Sequence, residues 1–98
     1  MAQVKYAARA WRDLDRIFEF YADRDQKVAA RMVALVTEAV EILAGHPLIG
    51  RPAEHGLREL VISSGLTGFV ALYRYRGEDE QVWILAIRHQ REAGLPRF

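Results

Sequence analysis

The residues best equipped for chemistry gather near the end of the chain, in Arg88-His89-Gln90-Arg91, with Arg97 further on. A histidine can exchange a proton near neutral pH while neighbouring guanidinium groups hold an anion, a combination that serves RNA cleavage or a charged protein target. Glu54, His55, Glu59 and His89 are the candidates for acid–base work, and Arg58, Arg74 and Arg88 for stabilising a phosphorane-like charge. The set is compatible with metal-free RNA cleavage, although any basic sheet rim offers a similar one. From Gly50 to Phe98 the cations Arg51, Arg58, Arg74, Arg76, Arg88, Arg91 and Arg97 occur without a lysine, which suits planar contacts to carboxylate or phosphate as well as plain solvated charge. A Gly-rich phosphate loop, a nucleophile elbow and a His-Glu-x-x-His helix are absent from the sequence. Cysteine is absent as well, and His46 and His55 stand in a loop without a tight acidic cluster, so no metal or cofactor is expected.

Those residues need a scaffold. Phe69–Arg76 is rich in β-branched and aromatic residues, Gly77-Glu78-Asp79-Glu80 is a charged turn, and Val82–Ile87 is an apolar run suited to a central strand. Strict alternation along this hairpin groups Phe69, Ala71, Tyr73 and Tyr75 on one face and Val70, Leu72, Arg74 and Arg76 on the other. On its second strand the same rule groups Val82, Ile84, Ala86 and Arg88 against Trp83, Leu85, Ile87 and His89. Upstream, Trp11, Leu14, Phe18 and Tyr21 recur at helical spacing and predict a helix over 8–22. Asp25 is placed to cap a second helix over 26–44, about 28 Å long at roughly 1.5 Å per residue, with Gly45 in the left-handed position past its end and Pro47 forbidding continuation.

The segment His46–Gly56 reads as a loop and Leu57–Ile62 as a strand that sets Arg58 beside Leu60 and Ile62. A charge among core residues is either paired with a carboxylate at the sheet rim or held for a partner. With strands near 2–6, 57–62, 68–76 and 81–88, the order is β-α-α-β-β-β. The fold class is α+β, a two-helix antiparallel hairpin packed on one face of a small, mainly antiparallel sheet. Trp11, Phe18, Leu35, Ile42, Leu72 and Ile84 are the expected core. The uncovered sheet face or a helix groove is expected to bind a partner.

At 98 residues the chain is expected to form a single domain over 1–98, with 88–98 as a C-terminal tail. Lys+Arg at 14 against Asp+Glu at 13 makes no case for nucleic acid or membrane, so direct DNA binding is not expected of the chain alone. Without cysteine, a membrane-length apolar run or a signal-peptide layout, a cytoplasmic setting is expected.

From the first strand through Arg91 the chain resembles the ParE/RelE superfamily of bacterial type II toxins. The resemblance rests on Ala10-x3-Leu14-x2-Ile17-x3-Tyr21, Ile42-Leu43-x3-Pro47-x2-Gly50-Arg51-Pro52, Leu57-Arg58-Glu59-Leu60, Tyr73-Arg74-Tyr75, Val82-Trp83-Ile84-Leu85 and His89-Gln90-Arg91. It implies the toxin of a toxin–antitoxin, plasmid-stabilisation-like pair, neutralised by a cognate antitoxin whose extended arm wraps it. Two mechanisms exist among such toxins. One branch binds and poisons DNA gyrase without being an enzyme; the other cuts mRNA on the ribosome. Nucleases of the second kind complete their basic or Glu-Arg-His set with an aromatic residue at the end of the last strand, whereas His89-Gln90-Arg91 is similar to the first branch. The resemblance therefore implies a gyrase poison, with Arg88, His89, Arg91 and Arg97 toward the target and Arg58, Arg74 and Arg76 toward the antitoxin. The alternative is a ribosome-dependent endoribonuclease using His89, Arg58, Arg74 and Glu59. A second alternative is a non-toxic binding module of the same fold.

Overall fold

The structure, a computed structural model, describes residues 1–64 and 67–90. Five strands, β1 (Gln3–Tyr6), β2 (Arg51–Pro52), β3 (Arg58–Ser64), β4 (Thr67–Arg76) and β5 (Gln81–His89), form one sheet in the order β1-β5-β4-β3-β2. β1 runs parallel to β5 and the other pairs are antiparallel. Two helices, α1 (Ala8–Ala22) and α2 (Gln26–Glu41), pack on one face of it, giving the expected α+β architecture. The two-residue strand β2 lies inside the segment expected to be loop: Arg51 pairs with Glu59 and Pro52 with Arg58. Two residues carry no readable period, so the sequence gives no sign of it.

The core joins Ala10, Leu14 and Ile17 of α1 and Val36 and Val40 of α2 to Ile62, Phe69, Ala71, Tyr73, Val82, Ile84 and Ile87 of the sheet. Leu72 and Ile84 are buried and Leu35 is partly buried against the core, as expected, but three other expected core residues are not. Trp11 is 54% exposed, Phe18 37% and Ile42 50%. On α1 the buried stripe runs Ala10, Asp13, Leu14 and Ile17, one position off the aromatic stripe, because small Ala10 lets the helix sit close to the sheet. Trp11 instead stacks on Tyr6 beside the sheet, with ring centroids 4.7 Å apart.

Asp25 caps α2 as expected, accepting a hydrogen bond of 2.8 Å from the Lys27 amide. The α-helix ends at Glu41 and tightens into a 3-10 turn over Ile42–Ala44, which rotates Ile42 outward and buries Leu43. Gly45 has φ −98°, so it is not left-handed. The amides of Gly45 and His46 both donate to the Ile42 carbonyl, and the tight turn satisfies the helix end without a left-handed residue.

Strict alternation also fails on β5. Leu72 pairs with Ala86 but Tyr73 pairs with Ile84, so Leu85 is an extra residue in a β-bulge. Beyond it the faces exchange. Ile87 and His89 join Val82 and Ile84 on the helix side, opposite Ala71 and Phe69, while Ala86 and Arg88 join Trp83 on the helix-free side. β5 runs through His89, so Arg88 and His89 belong to the strand and not to a tail.

Candidate functional site

Among the described residues a short β1 leaves the second half of β5 without a strand on the side away from β4. β1 pairs only with Gln81–Ile84, and the Ala7 amide takes the Ile84 carbonyl at 2.9 Å. Past the bulge, side chains of α1 do what a strand would do. The buried Asp13 carboxylate accepts the Ile87 amide at 2.8 Å, and Arg16 Nη2 donates to the Ile87 carbonyl at 3.3 Å. Arg16 and Arg9 stand 3.8 Å and 3.7 Å from Asp13, keeping its charge compensated. This clip closes the strand edge and fixes the end of β5 against α1. An acid at position 13, between Ala10 and Ile17 on the buried stripe, was the readable sign of it.

The clip delivers His89 into an aromatic corner. Its Nε2 shares a hydrogen bond of 3.0 Å with the Tyr21 hydroxyl, Phe69 meets its ring edge-on at 5.1 Å, and Phe20 lies 6.4 Å away. His89 is half-buried, so one of its ring nitrogens is held by the protein and not presented to a substrate. Arg88 is half-buried on the opposite face, across from Val70. Arg91 and Arg97 lie outside the described residues.

Among the described residues Arg58 is paired with backbone carbonyls and not with a carboxylate, which corrects the first of the two readings of the sequence. Its Nη1 donates to the carbonyls of Gly50 at 2.8 Å and Leu48 at 3.1 Å. From the neighbouring strand, fully buried Tyr73 donates its hydroxyl to the Pro47 carbonyl at 2.8 Å and accepts the Gly50 amide at 2.9 Å. Burial raises the Tyr73 pKa, with the Gly50 hydrogen bond and the Arg58 charge opposing it, so the phenol stays protonated and able to donate. A Cβ on Gly50 would fall 2.6 Å from the Tyr73 ring edge and hydroxyl, so only glycine fits. The loop between α2 and β2 is thereby knotted to the sheet.

The other expected contacts divide between ion pairs and solvent. Glu59 pairs with Arg51 at 3.0 Å, and Arg76 pairs with Asp79 at 3.0 Å. Arg74 is exposed and stands across from Trp83. Register separates the residues of the nuclease set. Arg58 and His89 lie on the helix side, about 13 Å apart along β4 from Tyr73 to Phe69 and on strands roughly 10 Å apart. Glu59, across from Leu72, and Arg74 lie on the helix-free side. Glu54 and His55 occupy an exposed 3-10 turn in which His55 adopts φ 61°. Among the described residues no group of three or more His, Cys, Asp or Glu side chains is placed to hold a metal ion, and no helix is long and apolar enough to cross a membrane.

Comparison with known proteins is consistent from sequence to fold. Residues 4–94 match the family model for the ParE toxin of the type II toxin–antitoxin system parDE. The chain is similar to Toxin RelE3 of Caulobacter vibrioides, at 35% identity over 92 residues that cover 94% of this chain and 98% of the relative. Toxin RelE1 of the same organism is 33% identical over 81% of this chain and 85% of its own length. Among solved structures, the chromosomal ParDE system from P. aeruginosa superposes with a TM-score of 0.77 at 29% identity, covering 91% of this chain and 96% of that one. The toxin–antitoxin complex RelBE2 from Mycobacterium tuberculosis gives 0.68 at 26%, covering 91% and 98%.

Proposed function

The chain belongs to the ParE toxin family of type II toxin–antitoxin systems, and on that premise we propose that it acts by binding and poisoning DNA gyrase, restrained by a cognate antitoxin. The observation that carries the choice of mechanism is the division of the acid–base set. With Glu59 and Arg74 on one sheet face, His89 and Arg58 on the other, and His89 Nε2 engaged by Tyr21, these four described residues share no common point within reach of acid, base and anion holder. Binding needs no such convergence. The end of β5, with Arg88 and His89 followed by Arg91 and Arg97, is the surface we assign to the target. An antitoxin partner is supported by the neighbours at higher similarity, which are a ParDE system and a RelBE2 toxin–antitoxin complex. Of the arginines we assign to that partner, Arg58, Arg74 and Arg76, Arg74 is exposed and has no ion pair among the described residues. The bacterial cytoplasm is the setting this reading requires, and plasmid stabilisation is one role such a pair would play.

A ribosome-dependent endoribonuclease is the second reading, and the names of the two Caulobacter relatives favour it. One experiment separates them. Purified protein should inhibit supercoiling by purified gyrase and induce a DNA-damage response in cells, while leaving mRNA intact in a translation extract. Codon-phased cleavage in that extract, abolished by His89→Ala with supercoiling untouched, would replace the first reading with the second.

A further inference from the structure

The helix-free face carries a row of three side chains on adjacent strands. Lys5 of β1 and Arg74 of β4 both stand directly across from Trp83 of β5, so the row runs perpendicular to the strands with a step of about 4.8 Å. The Lys5 ammonium sits 5.6 Å from the Trp83 ring centroid, and the indole N–H donates to Gln81 Oε1 at 3.0 Å, so the ring is held in place. Two other cations of the sheet are ion-paired: Arg76, next but one to Arg74 on β4, with Asp79, and Arg51, on the far strand β2, with Glu59. Lys5 and Arg74 have no carboxylate partner among the described residues, and they bracket a half-buried apolar ring.

We propose that Lys5, Trp83 and Arg74 form a docking row for an extended peptide that presents acid, apolar and acid side chains at alternate residues, supplied by the arm of the antitoxin. The identity of the partner rests on the proposed function; the row itself rests on geometry and charge. An extended chain points every second side chain to one side, at intervals of about 7 Å, and the long stems of Lys5 and Arg74 take up the difference from the strand spacing. Each carboxylate then meets one cation while the apolar side chain covers the indole edge, relieving the repulsion between two unpaired positive charges. A single-stranded nucleic acid also seeks cations beside an aromatic ring, but it stacks a base on the ring face, and Lys5 already lies over that face.

The test uses the full chain carrying Trp11→Phe, so that Trp83 is the sole tryptophan and its fluorescence reports on the row. Probes are a synthetic twelve-residue peptide with a Glu-x-Leu-x-Glu centre, the same peptide with lysine for glutamate, and an oligouridylate of equal length. Only the acidic peptide should shift the emission saturably. The Lys5→Glu, Arg74→Glu double variant should bind it roughly tenfold or more weakly, with its melting temperature lowered only slightly, because Arg74 is exposed and half-buried Lys5 loses a single cation–π contact. Binding retained within twofold by the double variant, or a response to oligouridylate alone, overturns the row. The protein encoded beside this chain distinguishes the two levels of the argument. If it binds wild type and double variant equally, the row fails and the antitoxin reading stands. If the acidic peptide binds as expected and that protein does not, the row stands and its assignment to the antitoxin fails.

Discussion

Replacing Tyr73 with phenylalanine removes one oxygen from the centre of the fold. The hydroxyl serves two loop groups at once, donating to the Pro47 carbonyl and accepting the buried Gly50 amide. Phenylalanine fills nearly the same space, so the transfer of the ring out of water is unchanged and the cost is that of the orphaned polar groups. An unsatisfied buried donor or acceptor costs about 1–3 kcal/mol, and in a domain of this size each kcal/mol lowers the melting temperature by about 4–8 °C. Thermal and urea unfolding of Tyr73→Phe beside wild type measure this directly. The pH dependence supplies a second signature. Because the folded chain holds the Tyr73 proton more tightly than the unfolded chain, this stabilisation is complete below the unfolded pKa near 10 and is lost as pH rises through the higher folded value. The stability gap between wild type and Tyr73→Phe should therefore narrow above about pH 10. A melting temperature within about 2 °C of wild type at neutral pH, or a gap that widens with alkali, would refute the assignment of the hydroxyl as the tie between loop and sheet.

Gly50→Ala attacks the same knot by volume, since its Cβ would also fall 2.8 Å from the Glu59 carbonyl. Stability should drop by about 1–3 kcal/mol in urea unfolding, with Tyr73 ring resonances displaced, and an unshifted Tyr73 with unchanged stability would contradict the close approach. At the other end of the sheet, Asp13→Ala leaves the Ile87 amide without its acceptor and should cost about 1–3 kcal/mol, whereas Asp13→Asn keeps an acceptor oxygen and should cost less. Amide exchange at Ile87 checks this, and equal protection loss in the two variants would mean that the clip contributes nothing specific.

The sequence made the elements and their layering legible because apolar patterns set them: both helices, four of the five strands, and the packing of the helices on one face of the sheet follow from periodicity. Single-residue events escaped it. One inserted residue, Leu85, reverses the facing of Ala86, Ile87, Arg88 and His89, and period-2 reasoning has no means of placing a bulge in an apolar run. The α1 stripe was misread by one position for a related reason: Trp11 and Phe18 outweigh Ala10 in hydrophobicity, yet the small residue decides how close helix and sheet come.

The site was less legible than the fold, and the reason lies in what the recognisable residues do. Pro47, Gly50, Arg58 and Tyr73, drawn from separate stretches of the pattern that carries the family resemblance, meet in one knot and spend their polar groups on each other. Arg58, a candidate from sequence for catalysis and for a partner, spends its Nη1 on two backbone carbonyls of the same knot. A pattern built from such residues identifies the scaffold and is silent on the target. On the proposed reading, discrimination between targets and between antitoxins would fall to residues the knot does not use: the strand end held by Asp13 and Arg16, and the cationic row around Trp83. Variation in the row around Trp83 should change partner choice while leaving stability nearly constant, which is the reverse of what substitution at Tyr73 or Gly50 should do.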